Sequence, residues 1–212
     1  LPAVDLFRGA VTDDPVIKMR VKGVGVLTRQ QVIDWCVVGP TARASGVNID
    51  IRRDDPYGVI ERLDWNVILE KDGDIFAKTV VRILELYESI NIIRQCLNKM
   101  PKSGLIDADV KDIPAGEGIG RVEAPRGECF HYIKSDGTNR PCRHKIRSPS
   151  FMNVASDKVS AVGGTISDAT ITLAAVDPCY CCTERVAVLN RIDNRKVMNG
   201  WDLIKLSQEK TL

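Results

Sequence analysis

The segment DPCYCCTERV, residues 177–186, sets three of the chain's seven cysteines within four positions. Cys179 and Cys182 form a CxxC, the interval at which two thiolates of one turn reach the same metal ion. Disulfides are the poorer reading of the seven (Cys36, Cys96, Cys129, Cys142, Cys179, Cys181 and Cys182), which are odd in number, irregularly spaced and carried by a chain with ample core. Pro178 fixes its own backbone and is expected to hold Asp177 extended, so that the chain enters the thiolates in one shape. A carboxylate beside metal-bound thiolates can accept a proton or fix a neighbouring cation. The loop therefore points to a catalytic metal rather than a scaffold ion.

A zinc site would need a second pair of ligands, and Cys129-x-His131 and Cys142-x-His144 are the candidates. With Asp136-Gly137 as a hairpin turn, alternation brings His131 roughly opposite His144 and sends Cys129 and Cys142 toward opposite ends of the ladder. At ~3.3 Å per residue the two thiols stand more than ~10 Å apart, too far for one tetrahedral ion with Zn–S bonds of ~2.3 Å. Ordinary half-buried hairpin side chains are the preferred reading of these four. A thioredoxin-type redox pair at Cys179 and Cys182 is disfavoured too, since that chemistry wants a strand before the first cysteine and the stretch before Asp177 reads as helix.

The remaining sequence must position these groups. A chain of 212 residues, 44% hydrophobic and 27% charged, has material for one good core or two small ones. Its 30 basic and 28 acidic residues leave no basic field, which excludes nucleic acid as the expected partner. No apolar run approaches the roughly 18 residues of a membrane span, and no signal-peptide plan stands at the start, so a cytoplasmic protein is expected. Residues 1–27 lack a sustained period and read as a docking arm. A capping box, Thr28 with Gln31, should start a helix that ends near Gly39-Pro40. Phe76, Val80, Ile83, Leu84, Tyr87, Ile90 and Leu97 recur at helical spacing from Asp74 to Lys99, before Pro101. Strands are expected near 119–124, 128–134 and 141–147, then short helices over 149–162 and 167–176 and a last one over 201–210. The chain is thus read as a single unit: arm 1–27, helical part 28–100, β meander 118–147, and helices with the metal-binding loop over 148–212. The fold class is mainly α with a small antiparallel β-sheet (α+β).

Several segments occur together in one order: GPTARASGV, DIRRDDPY, ILELYESINIIRQCL, GEGIGRVEAPRGE, RSPSFMN and DPCYCCTER. Covering nearly the whole chain, they resemble the large, catalytic subunit of nickel-iron hydrogenases, and most of all the membrane-associated, energy-converting type related to the complex I subunit that borders the quinone cavity. Complex I itself is the poorer match, because the DPCxxC cysteines are not kept there. The resemblance implies a hydrogenase large-subunit-like fold, C-terminal part only. It implies a nickel-iron centre with CO and CN ligands on iron, for which Cys179 would be a terminal nickel ligand and Cys182 a thiolate bridging nickel and iron. Arg126 would stand over the open metal position, Pro125 would shape that wall, Asp177 would hold Arg126 by a charge-assisted hydrogen bond, and Ser150 would donate to an iron-bound cyanide. Without the resemblance, Arg126 reads as a structural arginine paired with Glu123 or Glu128, and Cys181 as a small buried thiol.

The same resemblance implies reversible heterolytic cleavage of hydrogen, with electrons passed to an iron-sulfur small subunit whose clusters are the further cofactors. The expected partners are that subunit, the membrane subunits of the complex, ferredoxin, and the N-terminal half of the large subunit, with the protein peripheral on the cytoplasmic face of the membrane. The family's centre takes four cysteines, two of them from an N-terminal CxxC that this sequence lacks, and the chain opens on Leu-Pro, so a piece of a longer or divided subunit is expected. Arg185 stands where many relatives place a histidine, which speaks against a histidine-ligated magnesium and a processing cut there. Two other readings stay open: a coupling subunit of a complex I-like membrane reductase without hydrogen chemistry, and a zinc-binding module.

Overall fold

A computed structural model describes residues 2–104, 107–108, 110, 112–183, 187–193 and 195–211. Arg185 lies outside them. The helices are α1 (Pro2–Thr12), α2 (Pro15–Val21), α3 (Arg29–Asp34), α4 (Pro40–Arg43), α5 (Ile51–Asp54), α6 (Ile75–Lys99), α7 (Pro149–Asn153), α8 (Asp157–Ser160), α9 (Ile166–Ala175), α10 (Tyr180–Thr183) and α11 (Gly200–Thr211). One sheet has the order β1 (Ala115–Ala124), β2 (Gly127–Asp136), β3 (Pro141–Arg147); the other pairs β4 (Ala187–Leu189) with β5 (Lys196–Asn199). About half of the chain is helical and all pairings are antiparallel, an α+β arrangement. Residues up to Pro178 form one compact unit and those from Cys179 onward a second.

Within the first 27 residues, where no sustained period is legible, two helices form, α1 and α2. Asp14 caps α2 by accepting from the Val16 and Ile17 amides, with Pro15 at the first helical position. The capping box at Thr28 forms with both reciprocal bonds. Its helix ends at Asp34, short of Gly39-Pro40, because Cys36 takes a left-handed φ of 52°. The Cys36 and Val37 amides return to the Ile33 and Val32 carbonyls, a Schellman closure that seats Val37 and Val32 in one core cluster with Leu27, Ala42 and Val47.

The expected long helix is present, but its buried face is a different one. Ile75, Ala77, Lys78, Val81 and Ile83 are buried, whereas of the apolar stripe only Ile83 is, and Leu97 is exposed. Tyr87, on the stripe, meets α1 instead: its hydroxyl bonds Asp5 and Arg8 lies over its ring. Periodicity marked the apolar residues correctly and missed that the inward face carries cations. Lys78 is fully buried with its Nζ 2.7 Å from the Gly25 carbonyl. Arg43, 1% exposed, bonds Glu85, Glu123, the Ile49 carbonyl and Asp50, and Arg52 chelates Asp50. This ion network binds α4, α5 and α6 to the end of β1. Burial raises the Glu123 carboxyl pKa although Arg43 opposes the rise.

In the second unit, Cys182 N–H and Thr183 N–H both return to the Cys179 carbonyl, closing the single turn of α10. The β4–β5 hairpin was not expected from sequence. Asn199 caps α11 through an exchange of bonds with Asp202.

Burial pushes the Lys78 ammonium down from 10.5 to about 8, with Asp157 and Asp74 opposing and Arg82 adding to the fall. The unfolded chain then holds more protons than the folded one between those values, so stability should rise as pH climbs through that window. The full difference is on the order of 3 kcal/mol. Urea titrations at pH 8 and 10 are expected to show the rise, and Lys78→Met to flatten it.

Candidate active site

Pro125 and Arg126 form the two-residue turn between β1 and β2, whose last pair is Ala124 with Gly127. The turn presses on the backbone before α4. Gly39 has φ 70° and Gly127 φ 125°. A Cβ on Gly127 would lie 2.7 Å from the Gly39 nitrogen, and one on Gly39 would overlap the Arg126 carbonyl. Both positions thus need glycine for its φ and for the close approach. Asn153, fully buried at the end of α7, fastens the crossing: its Oδ1 accepts from the Val38 amide, and its Nδ2 donates to the carbonyls of Val38 and Arg126.

So held, Arg126 extends its guanidinium to the end of α9. Its Nε donates to the Asp177 carbonyl at 2.5 Å and its Nη2 to Asp177 Oδ1 at 2.9 Å. Asp177 is not extended, as Pro178 alone would dictate; its φ is 57°. The helix wins here, because Asp177 is the residue just past the cap of α9 and its amide returns to the Ala174 carbonyl. Aspartate tolerates the left-handed region, and Pro178 has no N–H for the next bond of a full closure. The left-handed turn also points both the carbonyl and the carboxylate of Asp177 at one arginine.

Glu123 and Glu128 are not the partners of Arg126: Glu123 is taken by Arg43, and Glu128 by Arg147 at 2.6 Å. Pro125 is exposed beside Arg126, and Ser150 is 1% exposed in the first turn of α7, the helix that carries Asn153. Arg82 lies under the same site. Its Nη1 donates to the Lys78 carbonyl and its Nη2 to Thr41 Oγ1 at 3.3 Å, while its buried Nε has no hydrogen-bond partner. Burial lowers its pKa; the fields of Asp177 and Glu85 oppose that, and those of Arg126 and Arg43 add to it. Asp177 thus feels two guanidinium groups, one bonded and one beneath.

Cys179 immediately precedes α10 and Cys182 lies within it, three residues apart, a spacing that sets both thiols along one side of a helical turn. Cys181, expected buried, is exposed. Their donor chemistry fits a thiolate-bound transition metal. Two thiols are half of a four-thiolate set, and among the described residues no three His, Cys, Asp or Glu side chains converge on one point. A nickel-iron centre would therefore need ligands beyond those described.

The sequence reading missed Gly39, Gly127, Asn153 and Arg82. Gly39 before Pro40 was the available signal, since a glycine ahead of a helix-starting proline marks a backbone that turns sharply; a lone Asn inside SPSFMN gave none. Gly127→Ala is expected to lower stability by about 2 kcal/mol or more, since backbone meets backbone there. Asn153→Asp turns two donated bonds into repulsions and should lower it by at least as much, both read as thermal midpoints.

A protein-family model described as "Respiratory-chain NADH dehydrogenase, 49 Kd subunit" matches residues 2–113 and 108–185. Among curated relatives, "Carbon monoxide-induced hydrogenase" of Rhodospirillum rubrum is 42% identical over 172 residues, 81% of this chain and 48% of that protein. The alpha subunit of the membrane-bound hydrogenase of Pyrococcus furiosus is 36% identical over 214 residues, 93% of this chain and 50% of the relative. An NADH-quinone oxidoreductase subunit of Clostridium beijerinckii is 39% identical over 175 residues, 81% of this chain and 47% of that one. The chain spans about half the length of these relatives, and identity alone does not separate the hydrogenases among them from the NADH-quinone oxidoreductases. The matched span includes the turn of Arg126, the Asn153 staple and the Asp177 end of α9, and the chain belongs to the family of the respiratory-chain NADH dehydrogenase 49 Kd subunit, within which it is related to the complex I-like hydrogenase large subunits.

Proposed function

We propose that this chain is part of the catalytic subunit of a nickel-iron hydrogenase of the membrane-associated, energy-converting type, an oxidoreductase active once the other half of the large subunit is supplied. The observation that carries the proposal is the double hold of Asp177 on Arg126, immediately before Cys179-x-x-Cys182 in the chain. A structural ion pair needs no such neighbour; a reaction that separates charge beside a thiolate-bound metal does.

In this reading Cys179 and Cys182 would hold the metal centre through their thiolates. A nickel-iron centre with CO and CN on iron, when bound, supplies reversible heterolytic cleavage of hydrogen. The protein's own contribution is electrostatic. Arg126 is a permanent cation whose orientation is fixed by two acceptors on one residue, so its field needs no reorganisation during turnover. Arg82, half-buried nearby, adds to the positive potential around Asp177. Pro125 borders the arginine without donating a proton, and Ser150 is proposed to donate to an iron-bound ligand. Electrons would leave through the clusters of an iron-sulfur small subunit toward ferredoxin, with membrane subunits anchoring the assembly on the cytoplasmic face. Among the described residues no helix is long and apolar enough to cross a membrane, so attachment would come through those partners.

The match to NADH-quinone oxidoreductase subunits supports a second reading, a coupling subunit of a complex I-like reductase without hydrogen chemistry. Metal analysis of the purified complex separates the two. Stoichiometric nickel and iron, lost in Cys179→Ser and in Cys182→Ser, are expected for the hydrogenase; their absence from the wild type favours the coupling subunit, and zinc alone favours a zinc module. Arg126→Lys should retain both metals while hydrogen turnover falls by about 10²-fold or more, because an ammonium cannot reproduce the planar two-bond hold.

A further inference from the structure

The chain has two histidines, and they are bonded to each other. His131 Nδ1 stands 2.9 Å from His144 Nε2, and the ring centroids are 5.1 Å apart. The register makes them a diagonal pair on one face of the first sheet: His131 lies opposite Ile146 and His144 opposite Ile133. Cys129, two residues before His131 on the same face, places its Sγ 3.5 Å from the other nitrogen of that ring. Nothing in the arginine site uses this cluster.

The neighbouring strand leaves the cluster open. Opposite Cys129, His131 and Ile133 stand Val122, Gly120 and Gly118 of β1. A Cβ built on Gly116, Gly118 or Gly120 would meet nothing within 4 Å. A glycine shelf therefore borders the imidazoles, with the exposed side chains of Val122, Ile133 and Ile146 around it. Two imidazole nitrogens aimed at one another at this separation share one proton, and an ion can displace it only once the rings turn. Bonds of about 2.1 Å at a right angle set two nitrogens about 3.0 Å apart, and tetrahedral bonds about 3.3 Å. The observed 2.9 Å is a hydrogen-bond separation, close enough to these values that small ring rotations suffice, and paired imidazole donors favour a late transition-metal ion.

We propose that His131 and His144 form a surface chelate for a divalent late transition-metal ion of the Ni²⁺ or Cu²⁺ kind. The ion takes His131 Nδ1 and His144 Nε2 and completes its coordination with water over the glycine shelf. The rings now point at one another, so each swings about its Cβ–Cγ bond to admit the ion, a soft torsion with open space beside it. Cys129 acts on the far nitrogen of His131, orienting the ring as hydrogen-bonded partners of metal-binding histidines do. Cys142 is not a ligand, because its Sγ bonds the Lys134 carbonyl. The site needs only two protein ligands, so it is compatible with no three such groups converging among the described residues.

The test uses the full chain in its isolated complex and Ni²⁺ alone as the probe. Equilibrium dialysis is expected to find one equivalent in the wild type whose affinity falls about tenfold or more in His131→Phe and in His144→Phe, and which stays in Cys142→Ser. On the unmodified protein, Ni²⁺ should protect both histidines from acylation by diethyl pyrocarbonate, read by peptide mass spectrometry. Equal binding by the wild type and either phenylalanine variant, loss of the equivalent with Cys142→Ser, or labelling indifferent to Ni²⁺ each overturns the proposal.

Discussion

The closeness of two backbones at Gly39 and Gly127 is the constraint from which the site follows. Neither position has room for a Cβ, so the turn between β1 and β2 lies directly against the chain entering α4. Asn153 then satisfies three backbone groups that this approach takes from water. Leaving such groups unpaired would cost about 1–3 kcal/mol each, so the crossing and the asparagine stand or fall together. Arg126 is the outer residue of that turn. Its direction is set before its side chain makes any bond, and Asp177 completes a placement already determined by backbone.

A second constraint works from the opposite side of the same strand. Glu123, one residue before the end of β1, is drawn into the buried network of Arg43, Asp50, Glu85 and Arg52. Buried ion pairs contribute little net stability against an apolar replacement, but losing one member leaves a charge stranded in low dielectric. The network therefore acts as a register lock. A slip of β1 by one residue would turn Glu123 to the other face and strand Arg43. The consequence reaches the site: with Glu123 occupied by Arg43 and Glu128 by Arg147, Arg126 is left for Asp177.

What the sequence disclosed were the features governed by local rules. The Thr28 capping box, the helix begun by Asp74 and stopped before Pro101, and the three-stranded meander all depend on neighbours within a few residues. The Arg126–Asp177 bond could be expected only through the resemblance, because its partners stand 51 residues apart. Features decided by competition between distant segments were misread. The buried face of α6 could not be told from its apolar stripe, since burying Lys78 and half-burying Arg82 depend on a carbonyl at Gly25 and a hydroxyl at Thr41. Asp177 was misjudged for a related reason: the rule for residues before proline and the rule for residues ending a helix disagree, and only the three-dimensional course of α9 shows which prevails. The small β4–β5 hairpin, joined by a short polar stretch, gave no alternation long enough to read.

On the proposed reading, metal binding and assembly are one process. Cys179 and Cys182 come from a single turn and can present two thiolates on one side of an ion, which leaves the opposite side to another stretch of polypeptide. Each half would then bind metal weakly, and the joined halves strongly, so that ligation free energy becomes association free energy. The arginine site is built differently. Its glycines, its asparagine and its left-handed aspartate all lie within the unit that ends at Pro178, so its geometry is present before any metal arrives. The two parts thus differ in when they form: the arginine site is complete within its own unit, whereas the thiolate site would be completed only on assembly.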